Sequence, residues 1–123
     1  MAQAVKELWP EVLLAIGPSI EDGFYYDFDR KTPFTDDDLM RIEERMRQII
    51  GRNQPFIRKE ISKKEAQDYF AGLKEEYKLE LLKEIPDEKV TFYKTGEDFT
   101  DLCRGPHIDS SAQIKAFKLL SVA

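Results

Sequence analysis

The chain has 123 residues, 41% of them hydrophobic and 11% aromatic, which suits one globular domain and excludes a disordered tail. Nineteen Lys and Arg against 24 Asp and Glu leave a net charge of −5, which argues against a domain that grips nucleic acid mainly through its phosphates. No apolar run approaches the roughly 20 residues that span a bilayer, the first residues lack a signal-peptide layout, and a lone cysteine cannot form an internal disulfide, so the sequence predicts a cytoplasmic chain with no membrane contact.

Ala2 to Leu8 reads as a short helix that ends near Pro10. "VLLAIGPSIEDGFYYDFD" follows, two apolar runs around Gly17-Pro18 and Glu21-Asp22-Gly23, and predicts an antiparallel hairpin with Phe24, Tyr26 and Phe28 on one face. Thr35 with Asp38 three positions later is a capping signal for a helix from about Asp36 to Ile50, and the aspartates there suit the positive end of its dipole. Leu39, Ile42, Met46, Ile49 and Ile50 form the apolar stripe of that helix, and Gly51 is placed to stop it. "PFIRKEI" alternates as a strand does, and Ser62 with Glu65 repeats the capping signal for a helix carrying Ala66, Tyr69, Phe70 and Leu73.

Tyr77 to Ile85 is a further amphipathic helix, closed by Pro86. "VTFYKTGEDFTDLC" predicts two strands around a Gly96-Glu97-Asp98 turn, and "AFKLLSVA" a final strand. The sum is a single α+β domain, an antiparallel sheet with helices packed on it. Interleaved charges such as "RIEERMRQ" and "LKEEYKLELLKE" read as solvated helix faces.

The only cysteine and the only histidine stand in "DLCRGPH", Asp101 to His107. Gly105-Pro106 between them disfavours helix and strand, so a tight turn carries Cys103 and His107. On residue types three roles are open to the pair: half of a metal site, a Cys/His hydrolytic dyad, or a structural turn. Asp101 lies two before the thiol, on the same side of a strand, where it can orient His107, recognise an ammonium or hydroxyl group, or cap the turn. Arg104 and Lys78 are the nearest candidates for basic groups, although side chains of their type are usually solvated. Phosphate-loop, Gly-x-Ser-x-Gly, HExxH and calcium-loop patterns are absent from the sequence.

"AIGPSIEDGFYYDFD", "PFTDDDLMRIEERM", "EEYKLELL", "FTDLCRGPHI" and "IKAFKLLSVA", in this order, resemble the editing domain of threonyl-tRNA synthetases, the second additional domain whose core is shared with alanyl-tRNA synthetases. The resemblance covers nearly the whole chain. It implies hydrolysis of serine wrongly esterified to the 3′-terminal adenosine of threonine's tRNA, with water as the attacking species. It further implies that Asp101, Cys103, His107 and Lys78 are catalytic residues and that Arg104 binds substrate. The implied partners are the tRNA acceptor end and the remainder of the synthetase, with no cofactor in this domain and ATP used by the parent enzyme.

The family's cleft also contains a His-x-x-x-His pair on an N-terminal helix, and this chain has one histidine in all. The expectation is therefore an editing domain, residues 1–123, shortened at both ends and weak or inactive in deacylation of Ser-tRNA. Two alternatives follow from other classes: a module that only docks the acceptor end or self-associates, and a zinc-binding module of the alanyl type.

Overall fold

Two hydrophobic clusters organise the computed structural model, which describes residues 1–122. Helices α1 (Ala2–Leu8) and α2 (Asp36–Gly51) build the first, where Ala4, Val5, Val12, Ile42 and Ile49 are buried and Trp9, Phe28, Phe34 and Leu119 close the sides. The small residues of α1 let it lie close on α2, whose stripe of Ile42 and Ile49 faces it. The capping box is formed as the sequence predicts: Asp38 N–H donates to Thr35 Oγ1 and the Asp38 carboxylate accepts from Thr35 N–H. Gly51 is the last helical residue rather than the stop; Asn53, at φ 50°, makes the left-handed turn out of the helix.

The second cluster joins α3 (Lys63–Gly72) and α4 (Glu76–Glu84) to a three-stranded sheet. Strands β5 (Phe56–Ser62), β6 (Lys89–Thr95) and β7 (Phe99–Leu102) lie in the order β5-β6-β7, all antiparallel. The strands here are numbered after four short ones in the N-terminal hairpin, described below. Phe70 and Leu82 are fully buried against Val90 and Phe92, and each such side chain contributes about 1.5–3 kcal/mol by leaving water. Of the apolar residues expected on this helix, Ala66 and Phe70 are buried, Tyr69 is exposed, and Leu73 lies just past the helix end at Gly72 and is exposed.

The predicted N-terminal hairpin is present but broken. Its base pairs β1 (Leu13–Leu14) with β4 (Phe28–Asp29), and its tip pairs β2 (Ser19–Ile20) with β3 (Gly23–Phe24). Between them the ladder reduces to single bonds such as Ala15 N–H to the Asp27 carbonyl and Asp27 N–H to the Ile16 carbonyl. The aromatic face divides accordingly: Phe24 is exposed at the tip, while Tyr26 stacks on Phe28 at 4.8 Å and turns inward.

The predicted final strand does not form in the described residues; Ala123 lies outside them. A 3-10 turn at Ser111–Gln113 leads instead into an extended segment along α2. There the buried Glu43 carboxylate accepts from the Leu119 N–H at 2.7 Å and pairs with Lys118, so a helix side chain occupies the backbone donor that a strand would have given to a neighbour.

Candidate functional site

The alternation of the sheet separates core from chemistry. Phe92 and its partner Leu102 belong to the second cluster, and the next pair, Tyr93 and Asp101, points to the opposite face. Cys103 extends β7 by one bond, its N–H donating to the Thr91 carbonyl at 3.1 Å, before the chain leaves the sheet. The turn then closes as expected between Cys103 and His107: Gly105 N–H donates to Cys103 Sγ at 3.3 Å, and His107 Nε2 lies 3.2 Å from the same sulfur. Gly105 has φ 77°, and a Cβ there would sit 2.1 Å from the Tyr93 hydroxyl, so only glycine fits. The imidazole lies flat on Tyr93, ring centroids 3.9 Å apart at 13°, with Phe56 edge-on at 5.5 Å.

Lys78 reaches this face from α4. Its Nζ is 2.9 Å from Asp101 Oδ1 and donates to the Tyr26 hydroxyl at 3.0 Å, while that hydroxyl donates to Asp101 Oδ2 at 2.7 Å. Asp101 Oδ1 also accepts from the Leu102 N–H. Lys78 is only 3% exposed, which corrects the reading of this residue as solvated. Two costs are met at once here: burial of an ammonium, and its place in the first turn of α4, where the helix dipole opposes a cation.

The start of α4 is itself tied down. Glu75, 2% exposed, pairs with Lys6 of α1 at 2.9 Å and accepts the Leu14 N–H at 3.0 Å. Helix α1 and the hairpin base thereby fix the turn that presents Lys78.

Burial, reinforced by Asp101, pushes the Tyr26 phenol far above its ordinary range, so this group stays protonated and serves as a hydrogen-bond relay. Partial burial of the His107 ring lowers its pKa, with the Asp101 charge opposing more weakly, so the imidazole is neutral near pH 7.

Of the residues singled out in the sequence, Asp101 and Lys78 are in direct contact, and Cys103 and His107 are in direct contact. Asp101 does not hydrogen-bond His107 among the described residues; it faces Lys78 and Tyr26. Arg104 is exposed. Tyr26 was not singled out, since its only sequence mark is an aromatic in an alternating strand. Gly17, which reads as a turn residue, is a notch for that ring: a Cβ at Gly17 would meet Tyr26 Cδ2 at 2.2 Å.

Cys103 and His107 are two donors of the four that a tetrahedral zinc site needs, and no three His, Cys, Asp or Glu side chains gather as ligands among the described residues. The described residues by themselves do not make up such a donor set. A surface hollow of about 340 Å³ lies elsewhere, between α2 and the C-terminal segment; Arg47, Ile50, Lys115 and Phe117 are among its lining residues, which include no carboxylate, thiol or imidazole. No helix among the described residues is long and apolar enough to cross a membrane.

The family described as the threonyl and alanyl tRNA synthetase second additional domain matches residues 90–123, the stretch with β6, β7 and the Cys103–His107 turn. Over 123 residues the chain is 54% identical to a threonine–tRNA ligase of Pelobacter propionicus and 54% identical to one of Lawsonia intracellularis. It is 52% identical over 124 residues to that of Syntrophomonas wolfei. In each case all of this chain is covered, and it spans 19% of the relative's length. Over its whole length the chain is thus similar to one segment of threonine–tRNA ligases, and residues 90–123 match the second additional domain of threonyl and alanyl tRNA synthetases.

Proposed function

We propose that this segment serves, within a threonine–tRNA ligase, to hydrolyse serine wrongly esterified to the 3′-terminal adenosine of threonine's tRNA. The observation that carries this reading is the buried Lys78–Asp101–Tyr26 cluster on the same sheet face as the Cys103–His107 pair. An ammonium held out of water at a structural cost is characteristic of a site where charge develops during reaction.

The hydrogen-bond count gives each residue a task. An ionised carboxylate has about four acceptor positions, and Asp101 commits three, to Lys78, Tyr26 and the Leu102 N–H. The remaining one is suited to the α-ammonium of the esterified amino acid. Lys78 commits two of its donors, and its third is suited to the carbonyl oxygen of the ester, which gains negative charge when water attacks. With His107 Nε2–H donating to Cys103 Sγ, Nδ1 carries the lone pair and takes a proton from the attacking water. That proton then passes to the departing ribose oxygen, giving free serine and a tRNA with its terminal hydroxyls restored.

The net charge of −5 is compatible with this role, because an aminoacyl-adenosine is recognised locally and few phosphate contacts are needed. Serine and threonine differ by one methyl group, which a binding pocket distinguishes by only about 1–3 kcal/mol; a second, hydrolytic step supplies the further discrimination.

Single-turnover hydrolysis of Ser-tRNA by excess purified chain tests the proposal. The expected rate is slow but above spontaneous deacylation, and it falls to the spontaneous rate in His107→Ala. Binding of the acceptor end with no hydrolysis above background, or a rate unchanged by His107→Ala, would overturn it.

A further inference from the structure

The His107 imidazole is only partly covered and stands on a turn without regular secondary structure, and the hydrogen bond that holds its ring is the one to Cys103 Sγ. The second torsion of histidine is broad, so a ring so placed samples several planes unless a neighbour selects one. Tyr93 is that neighbour. It is 7% exposed, held in β6 opposite Asp101, and its ring lies parallel to the imidazole within 13° at 3.9 Å. The Gly105 backbone comes down on the same phenol so closely that no side chain would fit between them. Phe56, from the neighbouring strand β5, closes the edge of the imidazole.

We infer that Tyr93 is a positioning residue: its ring face fixes the plane and place of the His107 imidazole, and Gly105 lets the turn settle onto it. The ring, rather than the hydroxyl, performs this work, because the contact with the imidazole is face to face. Its consequence for rate rests on the hydrolytic reading above, since a general base displaced by about 1 Å loses on the order of a hundredfold. The placement itself is a property of the fold and can be read without any substrate.

With one histidine in the sequence, the imidazole protons give isolated NMR signals. In the unaltered chain these signals are expected upfield of free imidazole, from the ring current of Tyr93, with cross-relaxation to the Tyr93 ring protons. Tyr93→Phe keeps the upfield position, and Tyr93→Leu loses it. In Ser-tRNA hydrolysis, Tyr93→Leu lowers kcat by roughly a hundredfold with KM little changed, and Tyr93→Phe restores it. Unshifted imidazole signals without cross-relaxation in the unaltered chain would overturn the inference, whether or not the leucine variant folds. A leucine variant that hydrolyses as fast as the parent would overturn it as well. If the parent chain shows no hydrolysis, the function proposed above fails while the NMR signature still decides the role of Tyr93.

Discussion

Two charged networks in this protein use the same chemistry to different ends. At the rim, the Arg52 guanidinium makes two 2.8 Å bonds to the Glu7 carboxylate and a third, at 3.1 Å, to Asp98, tying α1, the end of α2 and the β6–β7 turn. On the sheet face, Lys78, Asp101 and Tyr26 tie α4, β7 and the N-terminal hairpin through bonds of similar length. Water can replace any bond at the rim, so that network is a brace. It cannot readily reach Lys78, so there the two charges depend on each other, and removal of either leaves the other without its counter-charge. A fold retains such a dependence where a charge is needed in a fixed place.

The comparison can be broken most directly at Lys78. Lys78→Met leaves the Asp101 carboxylate facing a methyl group, and we expect a loss of about 3–5 kcal/mol in urea unfolding; a loss under about 1 kcal/mol would show that the two networks are energetically alike. Arg52→Ala is expected to cost about 1 kcal/mol, a loss that shrinks in high salt because exposed pairs are screened. A salt-independent loss of several times that size would make the rim network a second buried one.

The smallest expected effect separates the two regions by pH. Burial lowers the His107 pKa, so between the ordinary value of about 6.5 and the lowered one the unfolded chain binds more protons, and this group's contribution to stability declines as pH falls through that window. The Arg52 hydrogen bond, chief among several causes, lowers the pKa of Glu7 from 4.5, so the contribution of the brace is fully present above that value and is lost as pH falls through the depressed one. Urea midpoints against pH should therefore show the first decline removed by His107→Gln and the second reduced by Glu7→Gln, the remainder belonging to Asp38 and Glu43, whose carboxyls are also held below their ordinary range by their hydrogen bonds. A single decline, common to both variants, would contradict this separation.

Much of the fold was legible because its signals are local. Thr35 with Asp38 and Ser62 with Glu65 satisfy backbone donors within one turn, and the helices begin where they stand. The C-terminal segment misled because apolar spacing describes a side-chain pattern and says nothing of which partner takes the backbone donors; Glu43, far away in sequence, takes one. Within the site, Asp101, Cys103 and His107 are close neighbours in the chain and could be read together. Lys78 on its own residue pattern looked like part of a solvated helix face, a nearby basic candidate no stronger than Arg104, and the family resemblance gave it a role. Its one local anomaly is a cation in the first turn of a helix. Tyr26 and Tyr93 carried no signal, because their importance lies in contacts across strands and turns.

Gly17 shows how far such influence extends. It touches none of the charged groups, yet the space beside its Cα is filled by the Tyr26 ring whose hydroxyl joins Lys78 to Asp101. The reach of that phenol is thus set by atoms that are missing from a neighbouring residue. Gly17 is a dial outside the charged cluster: even the smallest side chain placed there displaces the phenol, and with it the hydroxyl that joins Lys78 to Asp101.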